Sequence, residues 1–478
     1  MSLAFARVPG PGLDAVQVTV TVTGASGAPQ LTVDRGNIAA PVPAGNGTFV
    51  ALLTPTTTGE HRVTATQGTA LLSRTVLVLQ DVHADWGQPL AVEGLVNTAG
   101  YEDGITIAPD GNTLFVQYGP FRWASLLVFQ ESRANGGCGG NRLVPDRCSH
   151  PWIDTTLGPL AGPERPGFFS GRFSGTTQLH NAASWGIGVD GSPVLALTTM
   201  FYGFRRQPDG SFAEPFYLAF DDLGDGIIGP FGLGFLPLGG DDHLAVFTLQ
   251  DTTTVATGFD VHACEVAFGQ DNLLGTYAAT TPGNPPVRSV PFASTLLDLG
   301  DNSGTQGNSS LYEQNGVVLS VWTDDEYDQD ADTGKITVHV LDSGVFPTSN
   351  SYTAVVLPAD VNQPGTTAIQ PTFRDEGLYF TQDVSVVFAA YAGLHEAAAL
   401  ADGANWSAPV TLLQKDTSPV GAITAGDIGK IVALGEPTLA TVDGELVLYF
   451  VYAWVRGIDP ITGLPDLDFQ AGWVQRNP

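Results

Sequence analysis

Six times along this chain a short strand-like run meets a tight Gly, Asp or Asn turn and then a second apolar run. The pairs are 104–111 with 114–118, 184–191 with 194–197, 232–240 with 243–247, 310–316 with 317–321, 371–377 with 378–380, and 437–444 with 446–450. A single hairpin of this kind cannot bury both of its faces. Repetition solves the problem by stacking one sheet against the next around an axis, which leaves a central channel where a ligand can sit. The spacing between successive pairs is uneven, from 48 to 80 residues, so the longer intervals hold inserted loops at 131–177 and 276–307.

Composition agrees with an all-β chain. Gly (58) and Pro (33) are plentiful, charged residues make up only 14%, and runs of helical period are short, the best being 394–401. At 478 residues the chain is long enough for one small and one large domain. Residues 1–82 read as the small one. Val16 to Val22 alternates strictly, and short strands follow near 28–33, 47–53, 61–66 and 73–79, the pattern of an immunoglobulin-like sandwich. Residues 83–478 carry the repeats and read as a six-bladed β-propeller.

Trp86 opens a Trp-x-x-Pro segment, and Trp406 opens another that closes the fifth repeat. The first copy has no blade of its own. The simplest assignment makes residues 84–93 the outer strand of the last blade, joining the two ends of the chain and removing free sheet edges.

The formal net charge is −30, with 49 acidic against 19 basic residues. Such a surface repels phosphate backbones and anionic membranes, so nucleic-acid binding is excluded as the general mode. No stretch of 18 apolar residues exists to insert in a membrane. Cys138 and Cys148 flank a short polar loop suited to a disulfide, which implies an oxidising compartment, and Cys264 is left as a buried thiol. Residues 1–10 lack a basic and an apolar signal region. The cysteine pair nevertheless points to an extracellular, periplasmic or envelope location, with a leader removed.

The run from Glu102 to Phe115, Glu-Asp-Gly-x-x-Ile-x-Pro-Asp-Gly-x-x-Leu-Phe, resembles the TolB-type Pro-Asp-Gly repeat of bacterial envelope proteins, and the Trp-x-x-Pro strands fit the same family. The resemblance spans roughly residues 84–478 and implies a six-bladed propeller at the cell envelope. The segment 54–63 likewise resembles the Thr-Gly-Glu-Tyr-x-Val edge of bacterial immunoglobulin-like modules, with His61 in place of Tyr.

Several groups are candidates for chemistry. Residues just before the inner strands, namely Glu102, Asp103, Asn181, Asn308, Gln370 and Glu436, converge on one mouth of the channel if the repeats are blades. They form a site for a polar ligand, or else cap strand ends and hold channel water. Arg165, in a chain poor in arginine, is placed to fork onto a ligand at the funnel or to pin its own loop. Asp328, Asp330 and Asp332 alternate as in a calcium loop, although the twelfth position is His339 rather than Glu. A calcium-bound turn and a solvated acidic hairpin are the two readings.

Asp103, Asp375 and Glu436 follow the order of the carboxylates in five-bladed glycoside hydrolases, and Phe373-Arg-Asp-Glu376 resembles a motif of invertase-like enzymes. Trp123, Tyr202, Trp322, Tyr391 and Trp454 are candidate sugar platforms or core. Three functions follow. The leading one is a surface protein binding a glycan or protein partner at the propeller mouth. The alternative is a glycoside hydrolase using Asp103 and Glu436. The third is a virion or filament component.

Overall fold

The computed structural model describes residues 1–22, 27–119, 123, 185–187, 193–195, 200–221, 227–239, 242–251, 260–267, 276–279, 287–291, 295–296, 306–314, 317–324, 335–341, 352–364, 366–374, 377–390, 406–416, 423–460 and 463–477. The regular structure of these residues is strand, with a 3-10 turn at Ala425–Asp427. No helix among them is long and apolar enough to cross a membrane.

Residues 2–78 form a two-sheet sandwich. One sheet runs Ser2–Val8, Ala15–Thr21, Thr48–Thr54, Asn37–Ile38, with Val42–Gly45 also on Thr48–Thr54. The other runs Gln30–Val33, Gly59–Gln67, Ala70–Val78. Alternation drives the packing. Val16, Val18 and Val20 point inward from one strand and meet Val63, Ala65, Val76 and Val78 from the facing sheet, while the intervening Gln17, Thr19 and Thr21 face outward.

The remaining described residues build a β-propeller. The first blade runs Tyr101–Ile107, Thr113–Gly119, Met200–Arg206, Phe212–Asp221, and the second Ile227–Gly239, Asp242–Asp251, Asp260–Ala267, Thr295–Leu296. The third is Gln306–Gln314, Val317–Asp324, Lys335–Leu341, Tyr352–Ala354, and the fourth Ala368–Arg374, Gly377–Gln382, Ser385–Ala390, Val410–Gln414. The fifth is Ile431–Val442, Glu445–Ile458, Pro465–Gln475. Inner strands of blades one to five touch in sequence order, and the fifth touches the first again, so the ring closes. Aliphatic and aromatic side chains fill the wedges between blades, such as Phe115, Phe216, Leu233 and Phe247 between the first and second.

The described residues therefore form five blades, against the six of the sequence reading. The segment around 184–197 carries the local hairpin pattern, but Trp185–Ile187 pairs with Pro193–Leu195 in a separate two-stranded sheet among the described residues. The first blade takes its third strand from Met200–Arg206 instead, with Leu114 opposite Phe204. Thr276–Ala279 and Val287–Pro291, between the third and fourth strands of the second blade, return to extend the first blade's edge.

The sandwich and the propeller share hydrogen-bonded sheet. Leu90–Ala91 lies between Ala70–Val78 and Pro465–Gln475, with Leu90 opposite both Val76 and Trp473. Trp86 bridges Arg476, and Asp81–Val82 adds to the edge of the fourth blade. Trp86 is 3% exposed, packed with Leu448, Phe450 and Val474.

Candidate functional site

Each inner strand carries a bulge at the same register. One extra residue enters between Asp103 and Thr106, Phe231 and Gly234, Gly307 and Ser310, Ile369 and Thr372, and Gly435 and Thr438. A bulge of this type puts its first residue in the left-handed region, where glycine is the low-cost choice. The first two blades comply, with Gly104 at φ 57° and Gly232 at φ 55°. The fourth and fifth place Gln370 at φ 56° and Glu436 at φ 52°. Asn308 holds the same register position in the third. Proline follows at 371 and 437, tolerated in a strand because the second bulge residue need not donate to the ladder.

The amide of a bulge residue leaves the ladder and needs another acceptor. The second strand of the preceding blade supplies one. Gln370 N donates to Thr323 Oγ1 at 3.0 Å, Glu436 N to Thr381 Oγ1 at 3.2 Å, and Gly232 N to Gln117 Oε1 at 3.3 Å. Gln370 adds a further tie: its Oε1 accepts from Glu436 N at 3.0 Å and from the Thr381 hydroxyl at 2.9 Å, while its Nε2 donates to Glu436 Oε1 at 3.3 Å.

Glu436 is thereby aimed at the first blade. Its Oε2 accepts from Ile105 N at 3.3 Å, and its carboxyl hydrogen-bonds to that of Asp103. The Tyr101 hydroxyl donates to the other side of Asp103. Two carboxyl groups in contact do not both ionise easily. Burial lifts the Asp103 carboxyl above the ordinary aspartate range, opposed by hydrogen bonds from Tyr101, Glu436 and the Gly104 amide. Tyr101 in turn packs against half-buried Trp123, with ring centroids 6.1 Å apart and planes 16° apart, and both rings meet Phe469.

Below the pair the five inner strands line a cavity of about 370 Å³. Gly104, Gln370 and Glu436 edge it at the pair's end, Leu233, Phe235, Leu311 and Phe373 line its wall, and Arg374 lies toward the hairpin end, where its guanidinium donates to the Leu439 carbonyl. Tyr101 pairs with Gly119 and Gln306 with Asp324, so the chain leaves blades one and three for residues 120–199 and 325–334 at the pair's end.

The sequence candidates separate accordingly. Asp103, Gln370 and Glu436 meet. Glu102 does not reach the cavity: it is fully buried between the first and fifth blades, bonded by the Thr98 hydroxyl. Burial holds its carboxyl well above the ordinary range; the Thr98 hydrogen bond and Arg456 oppose this, and Asp468 adds to it. Tyr202 and Trp322, each 1% exposed, are core rather than platforms. Cys264 is a free, buried thiol, pushed up to about 12 by burial. Asn181, Arg165, Asp328, Asp330, Asp332, Asp375, Tyr391, Cys138 and Cys148 lie outside the described residues, as does the side chain of Asn308. Among the described residues no cluster of three His, Cys, Asp or Glu side chains is arranged to hold a metal.

Sequence reasoning missed Tyr101, Thr381 and Gln117, which orient the site. The available signal was the polar-Pro dipeptide at Gln370-Pro371 and Glu436-Pro437 in mid-strand, where only a bulge accommodates it.

No family model and no curated protein matches the chain. Among solved structures it is similar to an α-L-arabinofuranosidase from Lactobacillus brevis (12% identity, 60% of this chain and 88% of that one, TM-score 0.35). It is also similar to a xylan β-1,4-xylosidase from Bacillus halodurans C-125 (10% identity, 81% and 56%, TM-score 0.35). A third is the α-L-arabinofuranosidase Arb93A from Fusarium graminearum (11% identity, 91% of each chain, TM-score 0.32). These overlaps are loose, and the fold described above stands on its own strand pairing.

Proposed function

We propose that the channel mouth binds a neutral glycan and that Asp103 and Glu436 act on it as the acid–base pair of a glycoside hydrolase. The observation that carries this reading is the hydrogen-bonded pair of carboxyls, one of which, Glu436, sits in the left-handed region at φ 52°. Glycine would meet that backbone conformation at less cost, and strain retained against an easy alternative marks functional positions. A raised carboxyl hydrogen-bonded to a residue of the cavity lining points the same way. The ligand class follows from the lining: the Gln370 amide, the Glu436 carboxyl and Thr hydroxyls offer donors and acceptors, Tyr312 and Phe373 aromatic rings, and the net charge of −30 disfavours an anion.

The chemistry needs one protonated and one ionised carboxyl, which the pair supplies. The protonated group gives its proton to the leaving glycosidic oxygen, and the ionised one takes a proton from the attacking water or attacks the sugar itself. The two groups touch, closer than the roughly 5–5.5 Å of a retaining pair. Turnover thus requires the Glu436 side chain to swing from Asp103 as the sugar enters.

That contact also favours a second reading, a glycan-binding module without turnover, located at the cell surface or in the envelope. Glu436→Gln separates them. Release of reducing ends from neutral polysaccharides falls at least about 100-fold in the variant if the pair is catalytic. Binding with no turnover in either protein establishes the module, and neither binding nor turnover of any neutral glycan overturns both.

A further inference from the structure

On the outside of the fifth blade, where its turn end meets the sandwich and the first blade, lies a second cavity of about 220 Å³. Its walls come from four parts of the fold: Arg74 of the sandwich, Glu93 after the closing segment, Arg206 and Phe212 of the first blade, and Tyr449 and Trp473 of the fifth. Tyr449 is only 4% exposed and packs edge-on against Phe212, with centroids 6.0 Å apart. Tyr449 lines the cavity, and its hydroxyl makes no hydrogen bond to the described residues. A hydroxyl that faces a cavity takes water or a ligand as its partner.

The charges around it are already matched. Arg74 contacts Glu93 at 2.6 Å and Arg206 contacts Asp443 at 3.1 Å, while Asp209 and Glu445 leave the lining net acidic. An anion has no free cation to bind. A cation would face the Arg206 guanidinium beside the phenol. A ring bearing hydroxyls fits: half-buried Trp473 offers an aromatic wall, the paired carboxylates still have acceptor positions, and the phenol supplies a donor.

We infer that this seam is a second binding site, distinct from the channel, for a single neutral sugar unit. The volume suits a ligand smaller than the drug-sized molecules that fill typical pockets. Burial pushes the Tyr449 phenol up to about 12, so it stays a donor at any ordinary pH. The site does not depend on catalysis at the channel, and Glu436 has no part in it.

The test uses the full chain carrying Glu436→Gln, so that no sugar is consumed. Glucose, xylose and arabinose are titrated while tryptophan fluorescence and saturation-transfer NMR are recorded. At least one sugar should saturate the signal, and Tyr449→Phe should weaken it about three- to tenfold, the loss of one hydrogen bond. The melting temperature should stay equal or rise, because the deleted hydroxyl has no partner in the protein. Four outcomes overturn the inference: no sugar produces a saturable change, Tyr449→Phe binds as well as its parent, the substitution lowers the melting temperature, or phosphate or tetramethylammonium competes better than sugars.

Discussion

Replacing Gln370 by glycine tests whether side-chain bonds or backbone comfort holds the site together. At φ 56° the residue occupies a conformation that costs an ordinary side chain about 1–2 kcal/mol and glycine almost nothing. Taken alone, the substitution should stabilise the protein. Against this stand three hydrogen bonds: Oε1 from Glu436 N at 3.0 Å and from Thr381 Oγ1 at 2.9 Å, and Nε2 to Glu436 Oε1 at 3.3 Å. At about 0.5–1.5 kcal/mol each they contribute about 1.5–4.5 kcal/mol. The loss is moderated because Glu436 N keeps Thr381 Oγ1 as acceptor at 3.2 Å. Glycine also gains chain entropy when unfolded, about 0.5–1 kcal/mol. The balance is a net destabilisation of about 2 kcal/mol, read from urea unfolding followed by tryptophan fluorescence. Gly435→Ala presses on the same amide from the other side, since its Cβ would come 2.7 Å from Gln370 Oε1, and should lower stability too. A Gln370→Gly protein as stable as the parent, or more so, would refute the reasoning.

Two buried groups should give opposite pH slopes. Glu102 holds its proton longer folded than unfolded, so its contribution is fully present below about 4.5 and is lost as pH rises toward its folded value; Glu102→Gln should therefore gain stability over the parent as pH is raised above about 4.5, in thermal melts at matched ionic strength. His339 is the reverse: buried edge-on against Trp322, its imidazole is pushed down to about 4, so its contribution is present above 6.5 and is lost as pH falls toward 4, by about 3 kcal/mol at most. His339→Phe should flatten that limb of the profile, and an unchanged limb would contradict the assignment.

Much of the propeller was legible because a blade is local. Alternation and a two-residue turn define each hairpin, and both are visible in stretches such as 437–450. The blade count was not legible for the same reason. The 184–197 segment has the local pattern of a blade, but a blade also needs third and fourth strands. Those of the first blade arrive after an 80-residue gap between Gly119 and Met200, where no periodicity links them. The mouth was partly legible. Gln370 and Glu436 stood out as polar residues at strand starts, and the register shows why they stand there: they are first residues of equivalent bulges. Glu102 carries the same local signal as Asp103, and only the alternation of one strand sends it into the wall between blades. No feature of the sequence places Tyr101 against Asp103, because that contact depends on the ring packing of Trp123 and Phe469.

The most direct measurement is a pH titration of the Asp103 and Glu436 carboxyl carbons by 13C NMR, in the parent and in Asp103→Asn and Glu436→Gln. Two groups sharing one proton across the seam between the first and fifth blades should shift together in two steps, the upper one displaced upward, and each variant should collapse the pattern to a single step. Independent titration of the two carbons near their ordinary values of about 3.9 and 4.3, unchanged when the other residue is replaced, would show that the blades do not bring them together.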